Sequence, residues 1–377
     1  MKKLVAFILA CAACVLAFAA VGCSAPKTDK DIFAISYNLS DPNMSGLWKP
    51  GLEQASVDLG FNKISLQDAK NDNAEAVKMV EAAATESYGG YLINVVDHTN
   101  GTKYLNTLKN TGKAVVFWNR EVGVDVLKSY DKAYYVGIES AEGGRYQGQM
   151  AAEYVNTIGF DKLDRNKDGK LGVIVVRGEK GHLDAEARTL YAPMYLERFV
   201  TGGNTQADAE VSDTNYNYKN AWNKVEVKAI VDGTDTANTS WDPVTAANEV
   251  SRVLTEKGDE IDLVLSNNDG MALGIVTNTS FKNSGIPIWG VDALSDALTE
   301  IKKENTQFMG TVRNDGVSQA KVCVQVVKNI LEGKDYAEGM EVVDTKEEWE
   351  ANGNAIWKDA ANKALRVHHT KITKANA

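Results

Sequence analysis

The eleven residues from Gly178 to Arg188, with the sequence GEKGHLDAEAR, carry side chains well suited to hold a polar ligand. Within the last seven of these residues, His182, Asp184 and Arg188 provide an imidazole, a carboxylate and a guanidinium. The apolar run 172–176 predicts a buried strand, and the residues after Asp184, which suits a helix N-cap, predict a helix. The three side chains would then lie at the carboxyl end of a strand, where α/β sheets bind ligands. Because they can donate to and accept from hydroxyl groups, they favour a sugar or another polyol as the ligand. The alternative is a capped helix with a surface salt bridge.

Strand-like runs alternate with amphipathic helices along most of the chain, which indicates parallel sheets flanked by helices. One series covers residues 31–118 and a second covers residues 172–303. Two such series predict two lobes with a ligand between them. The stretch 201–225 interrupts the alternation and is rich in Gly, Asn, Thr and Asp. It predicts an inserted loop with one short helix near residues 216–222.

The amino terminus has the pattern of an export signal. Residues 1–23 contain two early lysines, a long apolar stretch and the sequence AVGC, which resembles a bacterial lipobox. We therefore expect cleavage before Cys23, a lipid on its thiol and a polar tether over residues 24–30. The alternative is a plain secretory signal cleaved near Ala20. Either reading predicts an extracytoplasmic protein, and the first anchors it to the cell membrane.

Charge and cysteine content exclude several classes of function. Loss of a signal with two lysines and no acid takes the formal charge from −10 to −12, which argues against nucleic acid and anionic membrane surfaces as partners. After export and lipidation only Cys323 is left, so no intrachain disulfide can form. The chain has no Gly-x-Ser-x-Gly, Gly-x-x-x-x-Gly-Lys or His-Glu-x-x-His motif, so the sequence does not predict an enzyme.

Seven separated segments, in one order, resemble the periplasmic-type galactose/glucose-binding proteins, the sugar receptors of importers and chemotaxis. The resemblance covers residues 32–320, extends loosely into the tail and fits residues 338–357 poorly. Its segments include NVVD, NKDG, NND and GVDAL, and lie at residues 94–97, 129–137, 166–169, 181–188, 267–269, 286–287 with 290–294, and 310–312.

The resemblance implies an α/β, two-lobed periplasmic binding protein fold of type I. Each lobe would be a parallel sheet flanked by helices, and three segments would form the hinge. The implied N-terminal lobe comprises residues 31–138 plus 314–362, and the C-terminal lobe comprises residues 139–313 plus 363–377. The expected hinge crossings are near residues 136–140, 312–316 and 361–367.

The resemblance also implies which residues contact a hexose. Carboxylates would accept from sugar hydroxyls, the arginine would donate in a fork, and the tryptophan would stack on the apolar face of a pyranose. A second aromatic of the family aligns with Asn43, so Trp118 or Trp48 would have to supply that face. The implied contacts are Asp41, Asn94, His182, Asp184, Arg188, Trp241, Asn268, Asp292 and Asn314.

A calcium loop is predicted directly before the first strand of the second series. Oxygen-bearing side chains at Asp164, Asn166 and Asp168 match its positions one, three and five, and Gly169 provides the sharp turn. Lys170 would offer its backbone carbonyl, and water would replace a side chain at position nine. The resemblance implies that Asp262 supplies the last, distant carboxylate. The alternative is a solvated acidic turn without metal.

The predicted function is that of a monomeric extracytoplasmic receptor for D-galactose or D-glucose. It would deliver the sugar to an ABC importer permease, with a chemotaxis receptor as a second candidate partner, and would contact the membrane only through its lipid. Two alternatives stay open: another polyol, such as a pentose or inositol, or an adaptor that presents the sugar to a membrane receptor. Sugar-responsive repressors share the implied core, but an export signal occupies the place of their DNA-binding headpiece.

Overall fold

The computed structural model of the protein describes residues 27–212, 215–219, 222–237 and 239–377. The predicted export signal and Cys23 lie outside these ranges. The described chain forms two α/β lobes, each built on its own sheet, and one small additional sheet. This architecture confirms the predicted type I two-lobed fold. Within those ranges no helix has the length and apolar character needed to cross a bilayer.

The strands are short and mostly apolar, as expected for sheets covered on both faces. In chain order the described strands are β1 (Asp31–Ser36), β2 (Lys63–Asp68), β3 (Gly90–Ile93), β4 (Ala114–Trp118), β5 (Ala133–Gly137), β6 (Leu171–Arg177), β7 (Asp208–Ser212), β8 (Asn215–Lys219), β9 (Val225–Asp232), β10 (Leu263–Ser266), β11 (Ile288–Val291), β12 (Phe308–Asn314), β13 (Val342–Val343), β14 (Ile356–Asp359), β15 (Ala364–Arg366) and β16 (His369–Thr373).

The helices lie between the strands, and a π-helical turn, Met44–Trp48, precedes the first of them. They are α1 (Lys49–Asp58), α2 (Asn73–Ala83), α3 (Gly101–Leu108), α4 (Val124–Lys128), α5 (Ser140–Ile158), α6 (Phe160–Leu163), α7 (Leu183–Phe199), α8 (Pro243–Lys257), α9 (Asp269–Thr277), α10 (Thr279–Lys282), α11 (Ser295–Ile301), α12 (Gly316–Leu331) and α13 (Lys346–Ala351).

Both main sheets are almost entirely parallel. The N-terminal lobe has the strand order β13-β14-β15-β5-β4-β3-β1-β2, and the C-terminal lobe has the order β16-β12-β11-β10-β6-β9. Only β14 with β15 and β12 with β16 pair antiparallel within these two sheets. Helices cover both faces, and Cys323 of α12 is fully buried in the core of the N-terminal lobe. The carboxyl ends of the parallel strands therefore face the space between the lobes.

Three crossings connect the lobes, between β5 and α5, between β12 and α12, and between β15 and β16. The third crossing corrects the predicted lobe boundary at residue 363. β15 pairs with β5 in the sheet of the N-terminal lobe, so the chain crosses at Val367 and His368. Asn314, predicted to begin an N-terminal-lobe segment, instead ends β12 in the C-terminal lobe.

The inserted stretch 201–225 contains a hairpin, so the predicted short helix near residues 216–222 is wrong. β7 and β8 pair antiparallel there. The sequence NYNYK of β8 alternates with period two, a strand period rather than a helical one. Both ends of the insertion are held by the buried Glu197, whose carboxylate accepts hydrogen bonds from the backbone N–H groups of Asn204, Asn223, Lys224 and Val225.

Residues 338–357, which fit the family pattern poorly, extend the sheet of the N-terminal lobe beside the third crossing. They contain β13, α13 and the start of β14. Trp349 of α13 is fully buried, and its ring stacks on His368 with 3.8 Å between centroids and 9° between planes. The tail thereby packs directly on a segment that connects the lobes.

Candidate ligand-binding site

A cavity between the lobes gathers side chains from the carboxyl ends of strands in both sheets. Of the nine predicted sugar contacts, all except Asn94 line it. Asp41 follows β1, the group around His182 follows β6, and Asn268 and Asp292 follow β10 and β11. The complete lining is Tyr37, Asp41, Asn43, Met44, Asn119, Arg120, His182, Asp184, Arg188, Trp241, Asn268, Asp292 and Asn314.

Asn94 lies behind the cavity and not on its surface. Its Oδ1 accepts from the backbone N–H of Tyr37 at 2.9 Å, and its Nδ2 donates to the carbonyl of Trp118 at 3.0 Å. The same Nδ2 is 3.3 Å from Oδ1 of Asn119. The side chain therefore joins the ends of β1, β3 and β4, and it positions Tyr37 and Asn119, which do line the cavity.

The amino terminus of α7 presents His182 and Asp184 to the cavity. His182, and not Asp184 as the sequence suggested, is the N-cap residue, because its Nδ1 accepts from the backbone N–H of Asp184 at 3.2 Å. Burial and the charge of Arg120 lower the pKa of the imidazole to about 4. His182 is therefore neutral at pH 7 with its proton on Nε2, which leaves Nε2 able to donate to a ligand.

Asp184 keeps its negative charge although it is buried. Burial alone would raise the pKa of its carboxyl, but His182, Arg188 and the hydroxyl of Ser140 outweigh burial and lower it. The Ser140 hydroxyl donates to Oδ1 at 2.6 Å. An ionised, fixed carboxylate is a strong acceptor for ligand hydroxyl groups.

Arg188 and Asp292 lie deeper in the C-terminal lobe. Nη1 of Arg188 donates to the carbonyl of Asn267 at 2.9 Å, whereas its Nε is buried without a partner. Burial raises the pKa of the Asp292 carboxyl well above its usual value. Buried polar atoms of this kind cost free energy unless a partner satisfies them, so the cavity favours a ligand rich in hydroxyl groups.

Each lobe contributes one aromatic ring to the cavity. Trp241 packs on Gly178, where a Cβ would lie 1.9 Å from ring atom Cε3. Tyr37 is the ring from the other lobe. It was not among the predicted contacts, although its position directly after β1 could have identified it as a residue of the site. Trp48 and Trp118, which were suggested as replacements for the second aromatic residue, are fully buried with 4.5 Å between their ring centroids. Neither of them lines the cavity.

Backbone strain also occurs at this place, where four of the eight described non-glycine residues with a positive φ angle lie. Asn119, Trp241, Asp292 and Ala293 have positive φ angles of 60°, 63°, 121° and 59°. Such conformations are costly for residues other than glycine, and they persist where the surroundings enforce them, commonly at functional sites. Three of these four residues line the cavity, so the strain supports its assignment as the functional site.

The predicted calcium loop fits a cation only in part. Oδ1 of Asp164 is buried without a hydrogen-bond partner, and burial raises the pKa of the nearby Asp262 carboxyl to about 6. However, both oxygens of Asp262 accept from backbone N–H groups, and Asn166 donates to Asp168 at 2.9 Å. Within the described ranges no three His, Cys, Asp or Glu residues are grouped as metal ligands.

We propose that this loop binds Ca²⁺ weakly through Asp164, Asn166, Asp168, the carbonyl of Lys170, and Asp262. Binding to the folded state alone stabilises it by mass action. Added Ca²⁺ should therefore raise the melting temperature, and Asp164→Asn should abolish that increase. A wild-type melting temperature that neither EGTA nor Ca²⁺ changes would exclude the site.

Two lobes joined by three crossings, with a polar cavity between them, define a class of protein that binds a small ligand between its lobes. The chain belongs to the periplasmic binding protein domain family, whose model matches residues 32–335. It is 32% identical over 300 residues to the D-galactose/methyl-galactoside binding periplasmic protein of Haemophilus influenzae, covering 79% of this chain and 81% of that protein.

Solved structures of solute-binding proteins show the same fold. One, from an ABC transporter of Actinobacillus succinogenes 130z and with bound D-allose, aligns with a TM-score of 0.68 at 14% identity, over 92% of this chain and 98% of that one. Another, from Bacillus halodurans C-125 and with bound myo-inositol, aligns with a TM-score of 0.61 at 20% identity, over 93% and 97%.

Proposed function

We propose that the protein is an extracytoplasmic receptor that captures a hexose, D-galactose or D-glucose, and delivers it to an ABC importer. The observation that carries the proposal is the cavity itself, which joins three aspartate side chains, one of them the ionised Asp184, to a buried arginine and an aromatic ring from each lobe. Carboxylates and guanidinium groups suit hydroxyls, and the rings suit the apolar faces of a pyranose. The relative from Haemophilus influenzae, named for D-galactose and methyl-galactoside, supports the choice of hexose.

Closure of the lobes is the proposed mechanism. A sugar held by Asp41 from one lobe and by Asp184, Arg188 and Asp292 from the other stabilises the closed form, because the open form cannot make both sets of contacts. The membrane partner then recognises the closed pair of lobes. We propose the permease of an importer as that partner, and a chemotaxis receptor or a sensory adaptor role as the alternative.

Another polyol is the second candidate ligand. Asn43, where the resemblance implies an aromatic residue, lines the cavity, and its buried Oδ1 has no hydrogen-bond partner among the described residues. An extra buried acceptor favours a ligand with a hydroxyl at that position, as a pentose or inositol could offer. Solved neighbours with bound D-allose and myo-inositol are consistent with such variation within this fold.

The experiment that tests the proposal is a titration of the ligand-free mature domain while tryptophan fluorescence is followed. Trp241 lines the cavity, so an occupied site should change the emission. Glucose, galactose, xylose, ribose and inositol form the panel. Saturable binding of glucose or galactose supports the hexose receptor. A response to another member alone shifts the assignment to that polyol, and silence with all five would refute sugar binding.

Lipid attachment at Cys23 is a separate part of the proposal. The full chain, expressed in a bacterium, should partition with the membrane fraction, and Cys23→Ser should release it because the thioether can no longer form. Mass spectrometry of the mature amino terminus distinguishes a lipidated Cys23 from a free terminus near Ala20. The released protein is expected to be monomeric.

A further inference from the structure

The mouth of the cavity contains an ion pair that joins the two lobes. Nη2 of Arg120, in the N-terminal lobe, lies 2.9 Å from Oε2 of Glu179, in the C-terminal lobe. The Arg120 side chain is 7% exposed and that of Glu179 is 30% exposed. Both residues also line an outer cavity of about 520 Å³ on one side, and Glu179 lines another of about 620 Å³ on the other side. The pair therefore lies where the lobes meet across the cleft.

Arg120 is fixed by its own lobe. Its Nη1 donates to the carbonyl of Val96 at 2.7 Å, and its Cζ lies 3.8 Å from the ring centroid of Tyr37. The preceding residue, Asn119, has a φ angle of 60° and is held by Asn94. A guanidinium fixed in this way loses little side-chain entropy when it meets a partner, so the pair can contribute more than a mobile surface pair does.

Glu179 is fixed by the opposite lobe. It lies in the turn between β6 and α7, and its Oε2 also accepts from Nε1 of Trp241 at 3.3 Å. The carboxylate thus links the aromatic ring of the C-terminal lobe to the guanidinium that covers the aromatic ring of the N-terminal lobe. Nε of Arg120 is buried without a partner, and Arg120 itself lines the inner cavity.

We propose that Arg120 and Glu179 form a latch across the bound ligand, and that this latch sets how long the ligand stays bound. The inference rests on the proposed sugar-binding function and adds two residues to it. The ion pair spans both lobes, so opening of the cleft must break it. A ligand that enters the open protein does not have to break the pair, because it is not formed there. The latch should therefore mainly slow dissociation, and it should also hold part of the ligand-free population closed.

The test is stopped-flow measurement of sugar binding with Glu179→Gln, Arg120→Met and the double variant. Each single variant should speed dissociation about tenfold, equivalent to about 1.4 kcal/mol. Because each substitution breaks the same contact, the double variant should release the sugar no faster than the faster of the two single variants. Glu153→Gln, which removes an ion pair with Lys371 inside the C-terminal lobe, is the matched control and should leave dissociation unchanged.

Two results would overturn the proposed latch. One is an unchanged dissociation rate in Glu179→Gln. The other is a double variant in which the free-energy effects of the two single substitutions on dissociation add up in full. Failure of the proposed function gives a different result, because the wild type would then bind no sugar of the panel. In that case small-angle scattering of the ligand-free protein tests the latch. The wild type should have a smaller radius of gyration than Glu179→Gln, and equal radii would refute the latch.

Discussion

Replacing Arg188 by alanine is expected to weaken sugar binding by about 1.5 to 3 kcal/mol, the contribution of hydrogen bonds to a charged group. Arg188 is 4% exposed and lies beside the ionised Asp184 and the buried Asp292. Among the residues that the structure describes, its Nε has no hydrogen-bond partner, so a ligand oxygen can satisfy it. Calorimetric titration with the sugar that binds the wild type measures the loss.

Arg198→Ala is the matched control for this prediction. Arg198 belongs to the same helix, α7, but lies at its opposite end, where its Nε donates to the carbonyl of Ala207 at 2.7 Å. Its removal should leave sugar affinity unchanged. Arg188→Lys separates charge from geometry, since lysine keeps the charge but cannot form the fork. Wild-type affinity in Arg188→Ala would remove this residue from the site.

Replacing Glu142 by glutamine is expected to destabilise the fold by about 3 kcal/mol, because loss of one partner strands the others in a buried charged cluster. Glu142, near the start of α5, accepts from Nδ1 of His368 at 2.7 Å and from Nδ1 of His369 at 3.0 Å. The cluster joins the first crossing to the third, and all three side chains are buried. Chemical denaturation of both proteins gives the difference in the free energy of unfolding.

This loss should depend on pH in a defined direction. Burial opposes ionisation of Glu142, but the hydrogen bonds from both histidines lower the pKa of its carboxyl from 4.5 to about 2. Its contribution is therefore present above pH 4.5 and disappears as the pH falls through about 2. Burial opposes protonation of His368, but Glu142 raises the pKa of this imidazole above 6.5. That contribution is complete below pH 6.5 and disappears as the pH rises through the raised value.

The wild type should therefore exceed Glu142→Gln in stability by the largest margin between pH 4.5 and 6.5. The exposed Glu153 of the same helix is the control, and Glu153→Gln should cost less than about 1 kcal/mol at every pH. An equal loss from Glu142→Gln at pH 5.5 and pH 8.5 would mean that Glu142 does not raise the pKa of His368.

The lobes and most of the cavity could be predicted because their signals are local. Strands such as β4 and β6 are continuous apolar runs, and His182, Asp184 and Arg188 lie within two turns of one helix. The lobe boundary at residue 363 was misplaced because β14 and β15 have only four and three residues, and the pairing of β15 with β5 is a long-range contact. Strands that short have no recognisable period.

The residues missed at the site depend on contacts between distant segments. Tyr37 and Arg120 are ordinary residues after two different strands until the N-terminal lobe folds and Arg120 covers the tyrosine ring. Asn94 follows an apolar strand, as a residue that contacts a ligand would. However, its side-chain amide is hydrogen-bonded to backbone groups at the ends of two neighbouring strands. Sequence position reveals that a polar residue lies at a strand end, but not whether backbone groups or a ligand satisfy it.

The direction of β1 determines how the protein would hang from a membrane. β1 begins at Asp31, at the amino ends of the strands, whereas the cleft lies at their carboxyl ends. A lipid on Cys23 would leave eight residues to reach Asp31, a span of at most about 28 Å. The molecule would then be tied by the far side of its N-terminal lobe, with the C-terminal lobe outermost and the cleft opening at the side of the molecule. Delivery would require the molecule to tilt on this short tether before both lobes could contact a permease in the membrane.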